Sequence, residues 1–448
     1  MKRPIRVVFL VLYFEAWDSL ALIYESMLAD SNFDPIVATI PRKLTGDDGY
    51  GGEKKAHKFL KKLGVAHVRL KDPNSWQSLE HLKQLTPDYV FLNYPWQRNY
   101  QPPFRPDSLV QFTKILYTPY FLAPLVGDRL DDTVDDAREA SNEAEAKVAT
   151  HLYTQRAHQL ASLVFVQDQA TKDAFNLTER GSARVHFTGS PKLDSLRQNY
   201  REVSNRLTDA LMDASAAKPG GPKRKYELKV LWAPHHSYSP AWLNFGMFAS
   251  SYQFMLQLAE KYPNVLFVLR PHPFLFGTLV DRGVLTESEL SHWRQEWKSR
   301  RNTKTNSKAN FVKQFAVTDL LITDGISFLA EYPLITGRAG IFLENAHHWP
   351  FNNLGLLAAD ANYRITRIEE LEQYVVTALQ DPNRDHKLER SAQLARMRDT
   401  IDPNPGRSAS LIVAAINQDF AQSTALVDPS KLSEIAWEDQ PGREPRRD

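Results

Sequence analysis

The chain has 448 residues, 42% of them hydrophobic and 11% aromatic, enough for two or three domains with sizeable cores. A formal net charge of +2 gives no nucleic-acid footprint, and the absence of cysteine excludes disulfides, thiolate catalysis and cysteine-ligated zinc or iron–sulfur centres. No apolar run approaches the ~20 residues of a membrane-spanning helix, so the expectation is a soluble protein, peripheral to a membrane at most.

The first half alternates strands and helices. Met1-Lys2-Arg3 before an apolar run looks superficially like a secretory leader, but Glu15 and Asp18 stand where small residues are needed, so Ile5 to Phe14 is read as a first buried strand. Ser19 to Ala29 has helical spacing, with Leu20, Ile23, Tyr24 and Met27 on one face. Pro35–Ile40, Val65–Leu70, Asp88–Asn93, Ile115–Thr118, Ser162–Gln167 and Arg184–Thr188 read as further strands. Lys54–Leu63 reads as a basic helix stopped at Gly64, and Ala137–Leu160 as a long polar helix exposed on one side. Alternation at this pitch predicts a parallel sheet with helices on both faces, with its ligand crevice at the carboxyl ends of the strands.

A polar helix over Leu193–Ala214 leads into Ala216-Ala217-Lys218-Pro219-Gly220-Gly221-Pro222-Lys223-Arg224-Lys225, a Pro/Gly-rich basic stretch with nothing to bury. The expected division is a first domain over 1–215, a linker over 216–226, a second domain over 227–422 and a polar, poorly ordered tail over 423–448. The second half repeats the grammar. Strands are expected at Leu228–Ala233, Val265–Leu269 and Gly340–Glu344, and helices at Met247–Lys261, Glu287–Trp297, Ile368–Gln380, His386–Arg398 and Ala409–Phe420. Lys298–Lys308 reads as a basic, solvated loop that could face an anionic polymer or membrane surface. The architecture these elements imply is α/β, two Rossmann-like domains facing a central cleft.

One stretch organises the second half, Asp319 to Tyr332. An apolar strand breaks at Gly325 and restarts at once as a helix. A strand that turns directly into a helix offers backbone N–H groups and the positive end of a helix dipole, a ready anion site. Glu331 lies farther along, where a carboxylate could accept from ribose hydroxyls. Polar clusters follow the neighbouring strands: Pro234-His235-His236-Ser237-Tyr238, Arg270-Pro271-His272-Pro273 and Glu344-Asn345-Ala346-His347-His348. Five of the 13 histidines fall at these strand ends. Arg270 and His272 each precede a proline, which forces extended backbone, and both could meet a diphosphate. No H-E-x-x-H spacing supports a metal. In the first half, Tyr94, Trp96 and Tyr120 follow strands and suit a sugar or polyol acceptor, and Lys192, beyond the Gly189-Ser190-Pro191 turn, could reach a phosphate.

Together these residues resemble the CDP-glycerol glycerophosphotransferase family, the teichoic-acid and capsule polymerases and primases of GT-B type. The resemblance rests on Thr-Gly-Ser-Pro-Lys-Leu-Asp at 188–194, Ala-Pro-His-His at 233–236, Leu-Arg-Pro-His-Pro at 269–273 and Thr-Asp-Leu-Leu-Ile-Thr-Asp-Gly-Ile-Ser-Phe at 318–328. Order and spacing fit over roughly 160–360. Gly325-Ile326-Ser327 stands where the family has Tyr-Ser-Ser, and Thr118-Pro119-Tyr120 where many members have His-Gly-Thr with a basic His. Gly325 to Glu331 also resembles the diphosphate and ribose site of the sugar-nucleotide 2-epimerases. The resemblance implies a nucleotide-diphosphate donor, CDP-linked by preference, held by Lys192, Arg270, Thr323, Asp324, Gly325, Ile326, Ser327 and Glu331, without a metal or other cofactor. It implies a glycan or polymer acceptor entering past Tyr94, Trp96 and Tyr120, and a cytoplasmic location that could include the inner face of the cytoplasmic membrane. His235 or His236 would be the base, with His272 beside them. Sugar transfer from a nucleotide sugar on the same fold, and a non-catalytic nucleotide-binding module, are the alternatives.

Overall fold

The computed structural model describes residues 3–43, 49–126, 153–216, 226–240, 243–306, 311–380 and 390–433, by backbone alone over 208–216. The chain divides into two compact units. The first comprises Met1–Ala123, Leu130–Ser195 and Thr400–Pro441, the second mainly Leu196–Asp399 with Pro124–Arg129.

The first unit is built on a seven-stranded parallel sheet. Its strands are β1 (Ile5–Val11), β2 (Phe33–Thr39), β3 (Val68–Arg69), β4 (Tyr89–Leu92), β5 (Lys114–Tyr117), β6 (Ala161–Val166) and β7 (Val185–Phe187), in the order β3-β2-β1-β4-β5-β6-β7. Side chains alternate across β1. Val7, Phe9 and Val11 enter one hydrophobic cluster, while Val8, Leu10 and Leu12 enter another, so both faces of the sheet are covered. On the first face lie helix Asp18–Leu28, whose Leu20, Ile23, Tyr24 and Met27 are buried as their spacing predicts, and helix Ser408–Gln422 through Ile412 and Ile416.

The second unit has six parallel strands: β8 (Leu228–Ala233), β9 (Val265–Leu269), β10 (Thr303–Thr305), β11 (Leu320–Thr323), β12 (Ile341–Leu343) and β13 (Tyr363–Ile365). Their order is β10-β9-β8-β11-β12-β13. In both sheets the chain runs outward one way, then returns to the first strand's other side and runs outward the opposite way. The reversal lies between β1 and β4 and between β8 and β11. At such a switch point the flanking loops diverge and leave a crevice at the carboxyl ends.

Several expectations are corrected. Helix Ser408–Gln422 belongs to the first unit rather than the second, because Ile412 and Ile416 are fully buried among β1, β4 and β6 side chains there. The polar helix over Leu193–Ala214 starts earlier, at Pro191, and passes from the first unit to the second after Ser195. Of the helix expected over Ala137–Leu160, only its end falls among the described residues. There Arg156–Leu160 is helical with all five residues buried, not exposed. Thr303–Thr305, read as part of a solvated loop, pairs with β9 as the edge strand β10. The linker beyond Ala216, the start of the helix expected at His386 and the tail beyond Ser433 lie outside the described residues. No described helix is long and apolar enough to cross a membrane.

Candidate functional site

In the second unit, three loops leave the carboxyl ends of β9, β8 and β11 side by side. After β9 the chain runs on through Arg270-Pro271-His272, where residues preceding proline favour extended backbone, and turns at Pro273. The Arg270 N–H donates to the Trp232 carbonyl (2.7 Å) and the His272 N–H to the Pro234 carbonyl (3.2 Å), so the ladder with β8 continues past both strands. Arg270 and His272, two residues apart on extended backbone, project to the same side.

His236 and His272 stack with ring centroids 3.9 Å apart and 16° between planes. His235 lies 4.6 Å from His236 and 5.6 Å from His272. Phe274, 46% exposed, sets its ring 5.4 Å from His272 at the rim. The hydrogen-bond network assigns two of the tautomers. His235 Nδ1 accepts from the Ser237 N–H (3.3 Å) and lies 2.8 Å from Ser237 Oγ, which itself accepts from the Phe245 N–H. His272 Nδ1 accepts from the Phe274 N–H (3.3 Å). Both rings therefore carry their proton on Nε2 and present a donor. Burial lowers all three imidazoles, His235 well below its ordinary value, His236 to about 4 and His272 to about 3, the last also through His236 and Arg270. Arg270 is itself lowered by burial to about 10 despite Glu331, and its guanidinium lies over the Phe311 and Phe328 rings at 5.6 and 6.0 Å.

β11 supplies the rest. Thr323 Oγ1 donates to the Ala233 carbonyl (2.8 Å) and accepts from the Gly325 N–H (3.0 Å), closing the turn. Asp324 is 3% exposed and accepts from the His235 N–H and the Met247 N–H, each at 2.6 Å. Burial raises its carboxyl to about 7 against those two bonds. Helix Ile326–Thr336 then begins with no side-chain cap, while Ser327 is exposed. Its first-turn N–H groups, on Ile326, Ser327 and Phe328, form the positive end of the dipole.

The structure thus brings together His235, His236, His272, Arg270, Thr323, Asp324, Gly325, Ile326 and Ser327. It also alters parts that sequence reasoning gave them. The Gly325 N–H is already bound by Thr323, so an anion would meet the next three N–H groups instead. Thr323 and Asp324 fix the loops and do not face outward. Glu331 is 2% exposed and acts electrostatically on Arg270. Lys192 lies in the first unit, near Tyr120. The Asp194 of the same motif is structural: it accepts from the Gly406 N–H (2.6 Å) and the Ser408 hydroxyl (2.5 Å) at the start of helix Ser408–Gln422. Glu344, though burial raises it, is brought to about 2 by His348 and Arg364, so that cluster satisfies itself. Among the described residues no group of three or more His, Asp or Glu is placed to share a metal ion.

At the switch point of the first unit, Tyr94 and Tyr120 meet with centroids 4.9 Å apart, and Trp96 hydrogen-bonds Tyr120. Tyr13, missed in the sequence because β1 was extended through it, completes a triangle at 5.3 and 5.7 Å. Arg42, held bidentate by Glu15, covers the Tyr13 ring at 5.3 Å.

No protein-family model and no curated protein matches the chain. Solved structures do. UDP-GlcNAc 2-epimerase from Neisseria meningitidis, bound to UDP-GlcNAc, matches with a TM-score of 0.55 and 14% identity, over 93% of this chain and 100% of that one. S. aureus MnaA with UDP gives 0.53 and 13%, over 94% and 98%. The wall teichoic acid polymerase TagF, as a variant soaked with CDPG, gives 0.54 and 14%, over 94% and 90%. Likeness at this identity is one of fold, and the chain has the GT-B architecture of two parallel-sheet α/β domains.

Proposed function

We propose that the chain is a GT-B transferase that moves a polyol phosphate, glycerol or ribitol phosphate, from a CDP-linked donor to a hydroxyl of a cell-surface glycan or polymer, at the inner face of the membrane. The observation that carries this reading is the convergence of the uncapped helix at Ile326, Arg270 and the imidazole Nε2–H groups of His235 and His272 at one switch point. In the reaction the acceptor oxygen bonds to the distal phosphorus, the bond from that phosphorus to the bridging oxygen breaks, and CMP leaves with the electron pair. Charge grows on the leaving phosphate, where pre-oriented donors in a partly buried site stabilise it most, without calling on a metal. The acceptor's proton passes to a base. Burial lowers His235 well below its ordinary value and His236 to about 4, which makes both poor bases at neutral pH, so neither is taken as the base, and His235 and His272 serve as donors to phosphate. Tyr13, Tyr94, Trp96 and Tyr120 would receive the acceptor.

Sugar transfer from a nucleotide sugar is the second reading, favoured by the fold shared with proteins that hold UDP and UDP-GlcNAc. Calorimetry with CDP-glycerol, CDP-ribitol and a panel of UDP-, GDP- and CMP-sugars separates the two. Binding confined to the CDP-polyols supports the first. Binding confined to UDP or GDP species sinks it.

A further inference from the structure

A second cavity lies in the first unit, at the amino ends of β6 and β7 and thus at the opposite end of the sheet from its switch-point crevice. It is a recess of about 440 Å³, open to solvent on one side and lined by Ser162, Arg180, Arg184 and His186, with Gln418 and Gln422 of helix Ser408–Gln422 also in its wall. Its donors are poorly served. Arg184 Nε and Nη1 are buried without a hydrogen-bond partner, and so is Ser162 Oγ. The Arg184 guanidinium lies over the Phe175 ring, 5.9 Å from its centroid. Arg180 is anchored by donating to the Gln159 and Ala161 carbonyls, which are neutral acceptors. Among the described residues lining the cavity, the single carboxylate is Asp419, whose oxygens already accept from Tyr89, Lys114 and Thr424. Burial lowers Arg184 to about 9, with Arg180 contributing, and lowers His186 with Lys172 contributing. Desolvated cations that repel one another, one of them with two unpartnered donors, are unfavourable as they stand. An anion in the cavity would relieve that.

We propose that this cavity is a second ligand site, one that takes the phosphate group of a small phosphomonoester between Arg184, Arg180 and Ser162. Guanidinium groups match the oxygens of phosphate with paired donors, and a hydroxyl adds one more. The volume exceeds a bare phosphate by far, which leaves room for an organic body against Leu163, Ala415 and Val427. The site is independent of the nucleotide site by position and by residues.

The test uses the full chain, with inorganic phosphate and glucose 6-phosphate as probes, read by calorimetry and by melting temperature. A His272→Ala background weakens phosphate capture at the nucleotide site. Saturable binding of both probes is expected in that background, with glucose 6-phosphate the tighter. Arg184→Met should weaken it by at least about tenfold, and Ser162→Ala by about threefold. Because Arg184 Nε and Nη1 have no hydrogen bond to lose, and Met keeps an apolar contact for the Phe175 ring, Arg184→Met should melt no lower than its parent without ligand, and phosphate should no longer raise its melting temperature. Absence of binding in the His272→Ala background overturns the site. So does binding that Arg184→Met and Ser162→Ala leave unchanged, or a large fall in the ligand-free melting temperature of Arg184→Met, since the guanidinium would then be structurally paired. Binding of phosphate alone overturns the phosphomonoester assignment.

Discussion

His235 and His272 each use Nδ1 as an acceptor, toward Ser237 and toward the Phe274 N–H, and so keep the ring proton on Nε2. Gln can replace such a ring as a donor, because its terminal amide nitrogen falls near the Nε2 position, whereas Ala cannot. His272→Ala is expected to weaken binding of the donor nucleotide about tenfold, and His272→Gln only about twofold. If instead Gln proves as damaging to binding as Ala, the donor role fails. Neutral donors also imply an affinity that is nearly flat between about pH 6 and 8, since the free rings titrate well below that range. Asp324 titrates in the opposite sense. Its carboxyl is raised by burial to about 7, so the unfolded chain releases the proton first. The stability this group contributes is therefore present below about pH 4 and lost as pH rises through 7. Asp324→Asn removes the titration and leaves one of two N–H groups facing an amide nitrogen, at about 1–3 kcal/mol. Urea unfolding should show the variant's deficit shrinking from pH ~5 to ~8; a deficit that grows with pH rejects the assignment.

Helix Ile326–Thr336 carries Pro333 in its interior, which removes the N–H that would bond the Leu329 carbonyl. Asn362, 2% exposed, fills the gap: its Nδ2 donates to Leu329 (2.8 Å) and to Ala358 (2.7 Å), and its Oδ1 accepts from the Gly340 N–H (2.9 Å). One side chain thus ties the helix that opens the anion site to the start of β12. Asn362→Ala leaves these groups buried and unpaired and should lower stability by about 2–4 kcal/mol, with faster hydrogen exchange over Ile326–Thr336. Unchanged exchange there would falsify the role. The strand–turn–helix itself was legible in the sequence, because Leu320–Thr323 is an apolar run cut by Asp324-Gly325 and followed by helical spacing. Val265–Leu269 was legible to the residue for the same reason, being bounded by Asn264 and Arg270. Asn362 was not, since its partner carbonyl lies 33 residues away in sequence. β10 and β13 were also invisible: three residues each, one of them Thr303-Lys304-Thr305, they are strands only because a neighbour pairs with them.

The chain as a whole returns to where it began. Helix Ser408–Gln422 was recognisable by its apolar spacing, but spacing says only that a helix has a face to bury and not what will cover it. Its destination is fixed by contacts distant in sequence. Ile412 and Ile416 enter the cluster of Ile5, Val7, Phe9 and Phe91. Asp194 holds Gly406 and Ser408 at its start, and Asp419 near its end accepts from Tyr89 (2.5 Å) and Lys114 (2.8 Å). The first unit is therefore completed by a helix about 400 residues along the chain from β1, and its stability depends on that helix. Ile416→Ala removes fully buried methyl and methylene groups from that cluster and should lower stability by about 2–5 kcal/mol. Because the lost contacts belong to the first unit, the loss should appear as faster exchange in β1, β4 and Asp18–Leu28, with β8, β9 and β11 unaffected. Asp194→Ala acts on the same helix through different atoms, by orphaning the Gly406 N–H and the Ser408 hydroxyl. Asp194 fixes the start of the helix and Ile416 its buried face, so both substitutions should loosen the same β1-centred core. Exchange that rises instead in β8 and β11 would place the helix with the second unit and reverse the assignment.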